Sequence, residues 1–381
     1  MPVNILSSIH QIKPASIQRV VVRGTNWVGD AVMSVPALRA LRQVLPDARI
    51  TLATRAWAEG LFAEADFLDA VLPHTRQSNA VCNVAQQTRA WREQKFDLAM
   101  LLPNSFESAL VAYAARVPVR LGYAGDGRNL LLTHAIARPI WKSERHEIFY
   151  YLNLVAELEK QLYGHSAIAE SEPDYRLTVS AQRQREAAGL LQNYGEEISD
   201  LRFQISDSNP PAPSPQPPTP LIAFCPGSTN SRAKRWPAAN YAVLGDMLTE
   251  QRGAQIVLIG AADERDVAEQ VAAQMRHAPV NLTGHTKLDE SVALLSLADA
   301  LVTNDTGPAH IAAALGVPVF TIFGPTNPTT TRPYGENAHI IREPPDCAPC
   351  MLRDCPIDHR CMTAVTPARV FAQVCEALKK A

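Results

Sequence analysis

The sequence has no run of about 18 apolar residues, the length that a membrane-spanning helix requires. Its first stretch, MPVNILSSIHQIKPASIQ, lacks a charged segment followed by an apolar core and a cleavage site, so no secretory signal is read there and a cytoplasmic location is the default expectation. Net charge is scarce as well, −2 from 36 Lys+Arg and 38 Asp+Glu. It is uneven: residues 1–150 hold 17 Lys+Arg against 12 Asp+Glu, and the remainder 19 against 26. An excess of +5 is well short of a nucleic-acid footprint, so no nucleic-acid partner is expected, although an acidic or phosphorylated partner fits the first half. The dinucleotide fingerprint G-x-G-x-x-G is missing, which disfavours an NAD-type oxidoreductase. So are a G-x-S-x-G elbow and a Ser-His-Asp order, which removes the common hydrolases.

What is there is a globular composition, 46% hydrophobic and 19% charged, over 381 residues, enough for two domains with real cores. Residues 1–18 read as a loose leader. From Arg19–Arg23 (RVVVR) onward, short apolar strands alternate with helices: a helix over 30–45 interrupted by Pro36, a strand over 49–53, then alternation to Val119–Tyr123, a helical region over 144–162 and a polar helix near 181–193. Residues 205–220 hold seven prolines in sixteen positions and read as an extended linker. The second half repeats the plan from Leu221–Cys225 to a closing helix at Pro367–Lys379. The expectation is an α/β protein of two doubly wound parallel-sheet domains, 19–204 and 221–381, facing a cleft with ligands at the strand ends.

Three strand-to-helix turns carry candidate chemistry. In LVTNDTGPAHIAAALGVPVFTIFG, Leu301–Gly324, Asp305 or Thr306 suits the cap of a helix, Gly307 lets a ligand approach the backbone and Pro308 suits the first turn. The helix end would offer N–H groups and positive potential to an anion such as a diphosphate, with His310 about one turn inside. PGSTNSRAKRWP, Pro226–Pro237, adds Ser228, Thr229, Arg232, Lys234 and Arg235 in one loop, hydroxyls and cations suited to the same anion. GTNWVGDAV, Gly24–Val32, has P-loop glycine spacing, but Asp30 and Ala31 stand where that motif needs Lys and Ser/Thr. A carboxylate there repels phosphate, so Asp30 reads either as a carboxylate displayed at the cleft or as a first-turn acid facing the helix dipole. Glu264 suits a ribose hydroxyl, or again a first-turn helix acid. Arg116, Arg120, Arg128, Arg138, Lys142 and Arg145 form a basic flank of the kind that is usually solvated. Cys347, Cys350, Cys355 and Cys361, with His359 among them, suit a structural zinc or a plain reduced or stapled loop; the spacing is not a standard zinc pair, and no catalytic metal site is read.

Taken together, NWVGDAVMSVPALRALR, PGSTNSRAKRWP and TNDTGPAHIAAALGVPVFTIFGPTNPTTTRPYG resemble the ADP-heptose:lipopolysaccharide heptosyltransferases, glycosyltransferase family 9 enzymes of GT-B fold. The Asn-Trp-Val-Gly-Asp opening and the cysteine cluster are most like members that add a heptose to the first heptose of the inner core. The resemblance implies that Asp30 is the catalytic carboxylate and Lys234 the leaving-group lysine. It implies a donor site of Ser228, Thr229, Asp305, Thr306, Gly307 and His310, with Glu264 near the ribose. It also implies ADP-heptose as donor, a lipid A-core acceptor at the inner face of the inner membrane, and no metal or other cofactor. The Pro-rich linker departs from the family's compact connection. Members that add the first heptose, other core transferases of the family, and a nucleotide-sugar-binding protein without transfer activity are the competing readings.

Overall fold

The computed structural model describes residues 12–76, 78–194 and 219–379. Its backbone divides into two units, Met1–Tyr175 and Arg176–Ala381. The first contains strands β1 (Arg19–Arg23), β2 (Arg49–Arg55), β3 (Ala70–His74), β4 (Leu98–Leu101), β5 (Val119–Tyr123) and β6 (His134–Ile136). They form one parallel sheet in the order β3-β2-β1-β4-β5-β6. Helices α1 (Val28–Met33), α2 (Val35–Val44), α3 (Ala80–Gln94), α4 (Phe106–Ala114) and α5 (Glu147–Tyr163) connect and follow them. Val20, Val21 and Val22 are fully buried, as expected for a central strand of a sheet covered on both faces.

The second unit opens with α6 (Ala181–Tyr194) and continues β7 (Leu221–Cys225), α7 (Ala238–Arg252), β8 (Gln255–Leu258), α8 (Arg265–Gln274), β9 (Val280–Asn281), α9 (Leu288–Leu297), β10 (Ala300–Asn304), α10 (Gly307–Ala314), β11 (Val319–Ile322), α11 (Pro328–Thr331), β12 (Ala338–Ile341), α12 (Arg360–Thr363) and α13 (Pro367–Leu378). Its sheet, β12-β11-β10-β7-β8-β9, repeats the first unit's order strand for strand. Ile222, Phe224, Tyr241, Leu258, Val302 and Phe320 fill its core. In both units the strand order reverses between the first and fourth strands, β1/β4 and β7/β10, and the crevice beyond their carboxyl ends is where such sheets bind ligands.

Four expectations are corrected. The helix expected over 30–45 is two, because the chain breaks at Ser34, whose hydroxyl donates to the Ala31 carbonyl at 2.7 Å, and Pro36 falls in the first turn of α2, where a missing N–H costs nothing. The division falls after Tyr175, not within 205–220, because α6 packs on α9, with Arg183 Nη2 donating to Asp289 O at 2.7 Å, and the segment before α6 is tied to the end of α10, with Leu177 N–H donating to Ala314 O. Residues 205–218 of the expected linker lie outside the described residues, as do residues 1–11 of the leader. The rest of the leader is anchored: Ile12 and Ile17 are buried, and the Asp97 carboxylate accepts from the Gln18 and Arg19 amides at 3.0 and 2.8 Å. The edge strands β6 and β12 carry no apolar run and were not expected. Among the described residues no helix is long and apolar enough to cross a membrane.

Because α6 belongs to the second unit, Leu191→Ala, at a fully buried position of α6, should cost about 2–5 kcal/mol. Hydrogen exchange of the intact chain should then accelerate in α9 and leave β1 protected; equal loss of protection in β1 and α9 would contradict the division.

Candidate functional site

At the β7/β10 crevice the loops after the two strands are joined by one side chain. Asn304, the last residue of β10, is fully buried. Its Oδ1 accepts from the Trp236 amide at 2.9 Å and the Tyr241 hydroxyl at 3.2 Å, and its Nδ2 donates to the Pro226 and Gly227 carbonyls at 2.8 and 3.0 Å. Trp236 is itself buried, its ring N–H donating to Val365 O at 2.8 Å. This fixes the turn between them, so that Lys234 Nζ reaches Asp305, 2.8 Å from Oδ2 and 3.1 Å from the carbonyl. Thr326 donates to the same Oδ2 at 2.7 Å. An ammonium has three N–H donors, so one is left for a ligand.

Asp305 therefore does not cap α10. The N-cap is Thr306, which makes no side-chain cap bond, its hydroxyl turning back to Asn304 O at 3.3 Å. The N-terminal end of α10 thus keeps its positive potential beside Lys234. Gly307 and Pro308 form its first turn as expected, and His310 is buried one turn in. Ser228 is buried and Thr229 exposed; Thr229 Oγ1 lies 3.5 Å from Glu264 Oε1. Glu264 ends the short turn after β8 and accepts from the Ala261 amide at 2.9 Å. It lies in a slot between glycines: a Cβ on Gly227 would fall 2.2 Å from Glu264 Cδ, and one on Gly260 2.9 Å from Oε2. Burial raises the Glu264 carboxyl above its usual range, opposed by the Ala261 amide. The loops after β7, β8 and β10 thus carry Ser228, Thr229, Lys234, Glu264, Asp305, Thr306 and Gly307, with contacts between Thr229 and Glu264 and between Lys234 and Asp305, and His310 follows one turn inside α10.

The cysteine segment supports this loop from behind. Ala233 N–H donates to Arg353 O at 2.9 Å, Ser231 Oγ to the same carbonyl at 3.2 Å, and the His359 ring lies 2.6 Å from Ala233 O. All seven cysteines are free thiols, and among the described residues no three or more His, Cys, Asp or Glu side chains converge on a metal position.

In the first unit, Asp30 lies half-buried in the first turn of α1, directly after β1. The buried Tyr151 of α5 hydrogen-bonds it, and burial, reinforced by the Asp30 charge, holds that phenol well above its normal pKa. Gly24 packs against Thr54, 3.0 Å from where its Cβ would be, a close approach to β2 that accounts for the glycine. Across the switch point the turn after β4 is held by Arg128, which is fully buried instead of solvated and donates to Tyr123 O, Pro103 O and Ser105 O at 2.8, 2.5 and 3.4 Å.

Sequence reasoning missed a cluster beside Asp30. Arg23, Arg55 and His74 are the last residues of β1, β2 and β3, and Arg55 pairs with His74 in the ladder. Arg23 is buried, with Nη2 3.1 Å from His74 Nε2 and Nη1 donating to Gly24 O at 2.9 Å. Burial and the neighbouring Arg55 lower Arg23 to about 10. Burial, then Arg23 and Arg55, push His74 down to about 4, so it is neutral and accepts from Arg23. Nothing local to any one of the three marks the cluster; only the parallel register assembles them.

The sequence model of glycosyltransferase family 9 (heptosyltransferase) matches residues 84–360. Lipopolysaccharide heptosyltransferase 2 of Salmonella typhimurium is 31% identical over 335 residues, spanning 85% of this chain and 88% of that protein. The Escherichia coli K12 protein of the same name is 29% identical over 340 residues, with the same coverage. The solved structure of E. coli ADP-heptose LPS heptosyltransferase II is similar at a TM-score of 0.74 and 28% identity, covering 96% of this chain and 99% of that one. A family 9 glycosyl transferase from Veillonella parvula shares the fold at a TM-score of 0.79 and 20% identity, over 97% and 99% of the two chains. The two Rossmann-like units are those of the GT-B fold.

His74 gives a pH signature. Its ordinary pKa is 6.5 and its folded value about 4, so between these the unfolded chain binds the extra proton and stability falls as pH drops. His74→Gln keeps an acceptor for Arg23 and does not titrate. Urea unfolding at about pH 7 and about pH 4.5 should show a smaller acid-side loss for the variant than for wild type; identical losses would contradict the neutral buried ring.

Proposed function

The chain belongs to glycosyltransferase family 9, and we propose that it transfers heptose, with inversion, from ADP-heptose to the first heptose of a lipopolysaccharide inner core. The observation that carries this reading is the Lys234–Asp305 pair at 2.8 Å, set beside the N-terminal end of α10 at the second unit's switch point. A cation and a helix end converging on one crevice suit a nucleotide diphosphate. Glu264, next to Thr229, ends the turn after the neighbouring strand β8, a place from which an acidic group can meet a ribose hydroxyl in sheets of this topology.

In the reaction, Asp30 accepts the proton of the acceptor hydroxyl while that oxygen bonds to the anomeric carbon of the donor and the bond from that carbon to the ADP oxygen breaks. The charge that develops on the departing ADP is stabilised by Lys234 and by the helix end at Thr306–Gly307. Asp305 contributes by holding Lys234, since its own carboxylate faces the ammonium. Tyr151 holds the Asp30 carboxylate in place through its hydroxyl. The acceptor is borne on lipid A, so the enzyme works at the inner face of the inner membrane without a spanning helix. The relatives named lipopolysaccharide heptosyltransferase 2, matched over 85% of the chain, support the choice of acceptor.

The test is transfer from ADP-heptose to core-truncated acceptor carrying one heptose, beside acceptor carrying none, with donor binding measured in parallel. Wild type should act on the one-heptose acceptor alone. Asp30→Ala should lose roughly 10²- to 10⁴-fold in kcat while binding ADP-heptose normally. Transfer to the heptose-free acceptor would move the assignment to addition of the first heptose. Undiminished transfer by the variant would remove Asp30 as the base, and donor binding without transfer to either acceptor would favour a nucleotide-sugar-binding protein.

A further inference from the structure

We propose that the α3/α4 face of the first unit is a membrane-docking surface: the groove between the two helices takes apolar lipid chain, and the basic groups at its end take anionic phospholipid headgroups. The inference rests on the transfer reading, which puts the acceptor on a membrane, and names the face that meets the bilayer. The first two turns of α3 are inverted for a helix that covers a sheet. Asn83 and Gln87 point inward, both buried and both donating to Glu107 Oε1, at 2.7 and 3.4 Å. Val81, by contrast, is 76% exposed, and Ala85 is exposed as well. Val81, Val84 and Ala85 fall at helical spacing on α3, as do Phe106, Leu110 and Tyr113 on α4. Between the helices lies a groove of about 710 Å³, walled by Val81, Val84, Ala85, Leu110 and Ala114. Phe106 and Tyr113, on the same α4 stripe, are about half exposed. Two helices that turn apolar stripes outward onto one groove offer them to an apolar partner.

That partner is anionic as well. At the C-terminal ends of α3 and α4 a second hollow, of about 550 Å³, is lined by Arg92, Lys95 and Arg116 against one acid, Asp97. Asp97 is already committed to the Gln18 and Arg19 amides. The two hollows share Arg92, whose Nε and Nη2 donate to Ala114 O at 3.0 and 2.6 Å; the guanidinium keeps further N–H groups for a phosphate. Lys95 and Arg116 are exposed and stand in left-handed backbone, φ 53° and 62°, at the ends of their helices, where glycine is the unstrained residue. A long cation there carries a conformational cost and places positive charge at the mouth of the hollow. An apolar groove running into a basic hollow is complementary to a phospholipid, chain in one and headgroup in the other. The face also leads to the chemistry. α4 starts directly beyond β4, the neighbour of β1, and β1 leads into the Asp30 turn. A bilayer seated along the helices thus brings a lipid-borne acceptor to the edge where Asp30 stands.

The test uses the full chain and vesicles of phosphatidylcholine, alone or mixed with phosphatidylglycerol. Both are free of lipopolysaccharide, so binding reports the bilayer and not the acceptor. Wild type should sediment with the mixed vesicles and far less with phosphatidylcholine alone, and added salt should release it. Lys95→Gln/Arg116→Gln should weaken binding to mixed vesicles roughly tenfold, as the loss of two surface cations does. Val81→Ser/Tyr113→Ser, at exposed positions, should weaken it on both compositions. Both double variants should unfold at the wild-type temperature and transfer heptose to deacylated one-heptose acceptor within about twofold of wild type. Wild type that stays off mixed vesicles, or double variants that bind them like wild type, would overturn the docking face. Capture only after lipid-linked acceptor is added would assign the hold to the acceptor and overturn it too. A dimer that Val81→Ser/Tyr113→Ser abolishes, in place of vesicle binding, would seat a second copy on the groove and overturn it as well. Wild type that binds mixed vesicles yet transfers heptose to no acceptor would sink the transfer reading and support the docking face.

Discussion

Asn304 is the contact on which the second unit's crevice depends. Its amide makes two donor and two acceptor bonds, all inside the protein and none to solvent, and these tie the loop after β7 to the end of β10. A buried amide so placed has little freedom, and its loss would leave the Trp236 amide and two carbonyls without partners, each costing about 1–3 kcal/mol. Through Trp236 it sets the Lys234 turn, and as the residue before Asp305 it sets the other half of the ion pair. The cysteine-bearing segment braces the same turn from its far side through Ala233 and Ser231. The ammonium at the crevice is thus held by backbone and buried side chains, not by a flexible loop, which is what charge stabilisation without reorganisation requires.

The two units use one topology for different electrostatic ends. At β7/β10 a lysine is partly neutralised by Asp305 and set against a helix end. At β1/β4 the half-buried carboxylate Asp30 is held by a buried tyrosine, while the adjoining edge of β1, β2 and β3 carries the guanidiniums of Arg23 and Arg55, opposed by Glu107. Arg128 shows that cation count alone is a poor guide. It belongs to the apparent basic flank, yet it is buried and spent on carbonyls that close the turn after β4.

Most of the fold was legible because its strands are short apolar runs between strong punctuation, RVVVR before Gly24, LIAFC before Pro226 and ALVTN before a Gly-Pro turn. The placement of the candidate residues of the second unit at the strand ends was legible for the same reason: they sit in the turns that follow those runs. What was hidden depends on partners far apart in sequence. The Asn304 clamp joins residues more than sixty positions apart, the Arg23–His74 contact spans 51, and Tyr151 reaches Asp30 from another helix. The boundary was misread because proline density marks where a chain is extended, not which core the preceding helix packs against. Of the two caps that the sequence allows for α10, Asp305 and Thr306, the structure uses Thr306, because Asp305 is turned to the lysine 71 residues earlier.

The central claim is that Lys234 acts on the diphosphate and Asp305 acts through Lys234. ADP affinity measured for Lys234→Met, Asp305→Asn and the double variant tests it most directly. The account predicts that Lys234→Met weakens ADP about tenfold or more, that Asp305→Asn weakens it less, and that the double variant is no weaker than Lys234→Met alone. Additive losses in the double variant, or ADP binding indifferent to Lys234, would contradict it.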